Sequence, residues 1–560
     1  MKISLDLRRN GILSIKDAKQ IDLLEPIVRK EYNKYIGKLI ESNNIRGLQW
    51  LLRVTCRNTD NSMLYHWLCK LSLLEFKLQE GDVIDNIKID FFPLKSSINQ
   101  LLKKYNYQCT VDVLGKQKSR LFIFLSNLSK SLYHTANNYL WGKFFSNKII
   151  PDERILLLDT FFLVNTIKDG VVDDRYYPGF ADNVTVIRKE FIFYLPILYG
   201  LRTPLDYFRQ FKAVAELPEN VILKEYWLKF VDYIYAIWKS IVLPNTIVNI
   251  PLLRGLDIKD LVRNELIQDQ AGVSLIQSVL IERSFMRYKK SGVRLSGVID
   301  WFENQTVDRA IYLGVRRNYP DIHIKGYQGF VVGKGYVGLQ PIQYEYDGGV
   351  LPDELLVMGD AYVEDRKKEC TELPISSAPA FRMQDTLSYS RENSLKKDLV
   401  ILAMPMSLIE ASEIVNLALS VELPVNLKWI IKVHPTISNK KFKQIIPESI
   451  DDSLEFTNQS LVELFRRGYL LVTAASSVAL DAVLCDVPVV ILGARTTYTN
   501  NPLADIVSDE YWRVCYTAED LYSAINKKKI NKTLEVSHYL NNVSHLTVDK
   551  IFLKSPIGDQ

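Results

Sequence analysis

The run Thr473-Ala474-Ala475-Ser476-Ser477-Val478-Ala479-Leu480-Asp481-Ala482 reads as a strand that ends, turns on two small residues and opens a helix with two serines. Unpaired backbone N–H groups and the dipole at a helix start favour an anion, and the hydroxyls add donors. Asp481, one turn into the helix, can accept from a ribose hydroxyl. The competing account makes Ser476 an ordinary N-cap. Lys432-Val433-His434-Pro435 is a second strand end, where an imidazole can donate to a phosphate or protonate a leaving group. A third stretch, Val298-Ile299-Asp300-Trp301-Phe302-Glu303-Asn304-Gln305, sets a carboxylate and two amides after an apolar strand. Glu303 there can deprotonate an acceptor hydroxyl, with Asn304 and Gln305 as polar neighbours; a dipole-stabilised acid at a helix start is the alternative. Tyr327 and Gln328, in Lys325-Gly326-Tyr327-Gln328-Gly329-Phe330, end another strand and are expected on the acceptor side of a cleft. Asp347, in Glu345-Tyr346-Asp347-Gly348-Gly349, is the reserve base, with a plain acidic turn as its rival.

These residues need elements that bring strand ends together. From about residue 150, short apolar runs alternate with amphipathic segments, as buried parallel strands and helices do. Runs at 154–159, 297–301, 322–327 and 355–359 form one set. A second set occupies 398–403, 429–433, 469–473, 487–492 and 513–516, with helices expected over 407–420 and 476–484. The pattern predicts two doubly wound α/β units whose ligands bind at the carboxyl ends of the strands. Residues 1–105 read as mainly helical, 106–385 as an N-terminal Rossmann-like acceptor domain, and 386–560 as a C-terminal Rossmann-like donor domain.

Gly333-Lys334-Gly335-Tyr336-Val337-Gly338 is a literal G-x-G-x-x-G, but Pro341, Gly348, Gly349 and Pro352 forbid the helix that a dinucleotide site requires. The sequence contains no D-x-D, so transfer without a metal is expected. The six cysteines form no C-x-x-C pair and read as buried thiols of a reducing compartment. Lys+Arg 70 against Asp+Glu 65 leaves a net charge of only +5, which argues against a nucleic-acid partner. Local surpluses at 440–443 and 527–529 fall in the donor half. The first residues lack an export signal, and the apolar window 191–201 contains Pro196 and is too short to span a bilayer. A cytoplasmic protein, peripheral to the inner membrane, is the expectation.

The histidine-proline strand end, followed by the serine pair and the spacing Ser477, Asp481, Ala482, Pro488, Val489, resembles the donor domain of GT-B glycosyltransferases. Within these it looks most like bacterial surface-polysaccharide enzymes that use CMP-sugars, the sialyl- and Kdo-transferases. The resemblance covers about 60 residues of this chain. It implies that His434 and Ser476/Ser477 hold the nucleotide phosphate, and Lys432, Pro435, Thr473 and Asp481 are expected beside them in the donor-binding set. The generic pattern has Glu more often where this chain has Asp481. Glu345 to Gly349 resembles the acidic-glycine motif that carries the base in sialyltransferases, displaced along the chain. The function so implied is transfer of Kdo or another ulosonic acid from its CMP conjugate onto lipopolysaccharide O-antigen or capsule. The expected partners are a nucleotide-sugar donor, a glycan or lipid-linked glycan acceptor, and the membrane or other assembly proteins, with no cofactor. A CDP-glycerol or CDP-ribitol transferase on the same site, or a non-catalytic assembly subunit, are the alternatives.

Overall fold

The computed structural model describes residues 3–115, 118–146, 148, 150–163, 166–168, 170–184, 191–218, 220–389, 396–438, 442, 444, 454–527 and 533–553. The lysines at 440, 441, 443, 528 and 529 therefore lie outside the described residues.

Three parallel sheets organise the chain. The first joins β1 (Ile3–Asp6), β2 (Ile84–Ile89) and β3 (Thr110–Val113) in that order. The second contains β4 (Ile155–Phe162), β7 (Ile192–Leu198), β8 (Leu295–Trp301), β9 (Ile324–Gln328), β10 (Glu354–Val357) and β11 (Ile375–Ser377); a small hairpin, β5 (Ile167–Lys168) and β6 (Val171–Val172), follows β4. Its strand order is β11-β10-β9-β8-β4-β7. The third contains β12 (Leu399–Ala403), β13 (Lys428–Lys432), β14 (Leu454–Phe456), β15 (Gly468–Thr473), β16 (Val489–Leu492) and β17 (Trp512–Cys515), in the order β14-β13-β12-β15-β16-β17. Covered on both faces, β9 and β12 bury every residue, which is why they appear in the sequence as continuous apolar runs. The expected α/β class, with parallel sheets in two domains, is the architecture found.

Strand order fixes where ligands can bind. In the second sheet the chain builds outward from β4 to β7, then returns to lay β8 against the other side of β4. In the third it builds from β12 to β13 and β14, then returns with β15 on the other side of β12. Each reversal leaves a crevice at the carboxyl ends of two neighbouring strands, the usual ligand position in such sheets. Glu303 follows β8 and Ser476 follows β15, so both stand at switch points.

Three features depart from the sequence reading. Residues 1–105 are not only helical: besides the long helices Ile15–Asn43 and Leu64–Gln79 they supply β1 and β2. Strands of four to six residues are too short to leave a period-2 signal beside two strong helical ones. Pro196 hides β7 in the sequence; β7 is the last strand of its sheet, with β4 on one side and a single bridge from Tyr194 to Val221 on the other, where a missing N–H is tolerated. The chain end also crosses back onto the second sheet's domain. Asn541 N–H donates to Met358 O at 2.8 Å, and the Phe552 ring packs 5.5 Å from that of Tyr327.

The N-terminal unit grips both domains. Arg495 of the C-terminal domain donates to Leu13 O at 3.0 Å, and Thr499 N–H donates to the Asp22 carboxylate at 2.6 Å. On the other side Arg53 pairs with Asp269 at 3.0 Å and Arg57 with Glu345 at 2.8 Å. The G-x-G-x-x-G stretch opens no helix of useful length and leads into the short 3-10 turn Val337–Leu339. Its first two glycines allow the domains to touch. A Cβ on Gly333 would lie 2.0 Å from Asn500 Oδ1, one on Gly335 would lie 2.3 Å from the Tyr498 ring, and Tyr498 donates to Gly335 O at 2.9 Å.

Candidate active site

The loop after β8 is built around Asn304. Its backbone is left-handed, with φ 51°, and its side chain is fully buried. Asn304 Nδ2 donates to Gly338 O at 2.8 Å and to Glu345 Oε2 at 3.1 Å, while Arg309 Nε donates to Asn304 Oδ1 at 3.1 Å. Glu345 also receives Arg57 Nη2 at 2.8 Å and Arg309 Nη2 at 2.5 Å, all three side chains being sealed from solvent. Two buried guanidiniums on one carboxylate are tolerable only because backbone and amide groups take up the remaining donors, Val337 O and Gln340 O for Arg57 and Thr55 O for Arg309. The adjoining Asp308 accepts from the N–H groups of Glu303 at 2.9 Å and Gln305 at 3.0 Å, closing the start of the helix Thr306–Asn318. With its neighbours fixed in this way, the loop presents the Glu303 and Gln305 side chains to the cleft.

Two connected cavities meet at that loop. The smaller, 260 Å³, is lined by Glu303, Tyr336, Arg382 and Ser477, so it spans from one α/β domain to the other. The larger, 620 Å³, extends into the N-terminal half, past His134, Asn138, Tyr176, Tyr207 and Lys224. Asn58, Asp60, Glu303 and Gln305 line both.

Glu303 Oε1 accepts from Trp301 Nε1 at 2.9 Å, and Oε2 accepts from Gln305 Nε2. Burial pushes its carboxyl above the ordinary glutamate value, the two hydrogen bonds oppose that, and nearby Asp60 adds to the rise. A carboxylate raised in this way is a stronger base once ionised. Asp60 is itself raised by burial. Across the cavity Ser477 is the N-cap residue of the helix Val478–Leu484, its hydroxyl making no capping bond, and Ser476 Oγ accepts only from Val478 N–H at 3.4 Å. The Arg382 guanidinium lies 5.8 Å from the Trp301 ring centre, on the cavity wall.

Other expected residues stand elsewhere. His434 is half-buried, its Nδ1 2.8 Å from Thr436 Oγ1, and burial lowers its pKa. β12 separates its strand from β15, about 10 Å along the same sheet edge, and His434 is absent from the lining of the two cavities. Pro435 is in the exposed turn beside it, and Lys432 Nζ donates to Asn458 O at 2.9 Å. Thr473 is buried and donates to Ala403 O at 3.1 Å, tying β15 to β12. Asp481 accepts from Thr386 at 2.5 Å beneath the cleft, and burial pushes its carboxyl up to about 6, so the expected ribose contact is not formed by a free side chain.

Four expectations are corrected. Asp347 is exposed at the end of the short helix Gln343–Asp347, accepts from Gln343 at 2.9 Å and does not reach the cavities. Tyr327 and Gln328 are buried because β9 is central in its sheet: Tyr327 donates to Pro379 O at 2.6 Å and Gln328 to Leu339 O at 3.2 Å. Asn304 is a buried strut and not a cleft ligand. Conversely, Asp60 and Arg382 line the cleft without having been singled out. The polar run Asn58-Thr59-Asp60-Asn61 was a usable signal for the first; Arg382 had none, because only the chain's path after β11 brings it there.

No protein-family model matches the chain, and no curated protein matches it. Solved structures do resemble it. They include Staphylococcus aureus MnaA with UDP (11% identity, TM-score 0.37, covering 70% of this chain and 92% of that one). Methanocaldococcus jannaschii UDP-GlcNAc 2-epimerase with UDP-GlcNAc and UDP is another (12%, 0.37, 71% and 99%), as is Acinetobacter baumannii MurG (10%, 0.36, 66% and 90%). At these scores the likeness carries no argument about substrate, and the fold class rests on the strand order itself.

Proposed function

We propose that the protein is a GT-B glycosyltransferase that moves a sugar from a nucleotide conjugate onto a glycan acceptor. The observation that carries this reading is the pairing of Glu303 with Ser477 and Arg382 in one interdomain cavity. A base and an anion-binding wall are the two parts that such a transfer needs. In this reading the acceptor lies in the larger cavity and gives its hydroxyl proton to Glu303. The acceptor oxygen attacks the anomeric carbon as the bond to phosphate breaks. Arg382, the hydroxyls of Ser476 and Ser477 and the N–H groups at that turn hold the charge that develops on the leaving nucleotide.

The donor we propose is a CMP-ulosonic acid. Its support is the motif resemblance, together with a cation beside paired hydroxyls, which suits a donor bearing both a phosphate and a sugar carboxylate. The test is to incubate the full chain with CMP-, UDP- and GDP-sugars and CDP-alcohols and to follow nucleotide release and product mass. CMP release with ulosonic-acid transfer supports the reading. Turnover confined to UDP-sugars or CDP-alcohols overturns the donor assignment. No turnover and no nucleotide binding overturns the enzymatic reading altogether.

A further inference from the structure

The helix Arg120–Phe144 is amphipathic in reverse. The side packed on the protein carries Ser131, Thr135, Asn138 and Gly142, all buried. Its outer side carries Leu121, Leu125, Leu140 and Phe144, each with more than half its surface exposed. The positions 121, 125, 132, 136, 140 and 144 form one continuous stripe at helical spacing. The helix Phe230–Val242 repeats the arrangement: Asp232, Tyr233, Ala236 and Ser240 are buried, while Phe230, Ile234 and Trp238 face outward, each more than half exposed. Asp232 is locked to Arg283 at 2.9 Å and Arg287 at 2.7 Å, which fixes which face of that helix points away from the protein. Tyr139 joins the two helices, with its ring 5.7 Å from Phe230 and 5.3 Å from Tyr233. A water-facing helix ordinarily shows the opposite pattern, and an apolar face of this extent marks a surface that something covers.

Charge identifies the partner. Residues 113–151 contain six Lys or Arg and no Asp or Glu. Of the basic residues around the two helices, Lys118, Arg120, Lys130, Lys148 and Lys229 are exposed. The one acid of the second helix, Asp232, is buried. The two helices themselves expose no acid, which an anionic bilayer requires and a protein surface in general does not. Leu, Phe and Trp at the centre and Lys and Arg at the margin are the composition of a helix face lying in a lipid interface. Among the described residues no helix is long and apolar enough to cross a membrane, so the contact is one of lying on the surface.

We infer that the outer faces of the helices Arg120–Phe144 and Phe230–Val242 form a docking surface for an anionic lipid bilayer. The same first helix supplies His134 and Asn138 to the larger cavity, and Tyr133 beside them donates to Arg202 O at 3.0 Å near the cavity's edge. An acceptor carried on a lipid would therefore meet the cavity close to the bilayer. The docking surface stands whether or not the proposed transfer does.

The test is sedimentation of the full chain with phosphatidylcholine vesicles made with and without phosphatidylglycerol. Binding is expected with the anionic vesicles, weakening as salt rises. Leu140→Glu/Trp238→Glu is expected to lower partitioning at least tenfold while leaving the melting temperature unchanged, since both side chains are exposed. Lys130→Glu/Lys229→Glu, which leaves the apolar face intact, is expected to lower it on the order of fivefold or more per residue, and it keeps the test decisive if the first variant misfolds. No binding of the wild-type chain to anionic vesicles at low salt would overturn the inference. So would a dimer by light scattering that Leu140→Glu/Trp238→Glu dissociates, with no vesicle binding.

Discussion

On the wall of the cleft that carries Glu303, the chain after β8 is fixed by buried side chains from three separate segments. Arg57 from the N-terminal unit, Arg309 from the next helix and Glu345 from the short helix Gln343–Asp347 all converge on Asn304 or its partners. On the facing wall, the turn after β15 is held mainly by its own strand and a seven-residue helix, with Ser476 and Ser477 half-exposed. One wall is thus preorganised by long-range contacts and the other by local ones. A proton-transferring carboxylate works only within a few tenths of an ångström of its target, whereas an anion can be held by several donors that adjust to it. The difference matches the tasks proposed for the two walls.

Four substitutions and a pH titration can break or sharpen this contrast. The largest effect is expected from Glu303→Gln, which keeps the shape of the side chain and its hydrogen bond from Trp301 but removes the base. Transfer should fall by roughly 10²- to 10⁴-fold with nucleotide affinity retained, read from kcat and calorimetry; a near-normal rate would remove the assignment. Glu345→Ala leaves two buried guanidiniums without their carboxylate and should cost about 3–5 kcal/mol in chemical denaturation. A loss below about 1 kcal/mol, the range of surface pairs, would mean that the rigid wall is not rigid. Arg382→Gln should weaken nucleotide binding by about 1.5–3 kcal/mol, the value of a charged hydrogen bond, and leave the melting temperature unchanged.

The titration concerns the carboxyls beneath Glu303. Asp159, Asp300 and Asp308 are fully buried, and burial pushes all three well above the ordinary range. Asp159 and Asp300 interact directly, with the Trp301 backbone beside Asp159 opposing its rise only in part, so the pair is satisfied when a proton sits between the two carboxyls. The folded protein therefore holds protons that the unfolded chain releases above about pH 4. Stability contributed by these groups is complete below that value and is lost as pH rises towards their folded-state pKa. Asp159→Asn should flatten this decline, by up to about 1.4 kcal/mol per pH unit per proton, seen as a melting temperature that rises relative to wild type as pH increases. The smallest effect is expected from His434→Ala. With that side chain outside both cavities, nucleotide affinity should change less than for Arg382→Gln; an equal or larger loss would extend the donor site along the sheet edge to β13.

Much of the fold could be read in advance wherever a strand was buried on both faces. Leu399-Val400-Ile401-Leu402-Ala403 can be little else, and Ser407 before an apolar-periodic stretch marks a helix start, which it caps by accepting from Glu410 N–H at 3.4 Å. Glu303 and Ser477 were legible for the same reason, as polar residues placed just after such strands. Asp347 misled because an acidic, glycine-flanked turn looks the same whether it faces a cleft or solvent, and Tyr327 and Gln328 because a strand end does not reveal which way its last side chains point. In a central strand they point into protein.

The sequence by itself determined the α/β class, the main strands and helices and the two strand ends that carry the cleft, because each is a local consequence of hydrophobic pattern and turn chemistry. Tertiary structure alone decided that β8 lies against β4 and β15 against β12, since pairing between strands far apart in sequence leaves no local trace. The same is true of the Arg57–Glu345–Arg309 cluster, whose members are 288 and 36 residues apart along the chain. It brings Arg57 of the N-terminal unit to the loop that carries Glu303, on the cavity that Ser477 also lines.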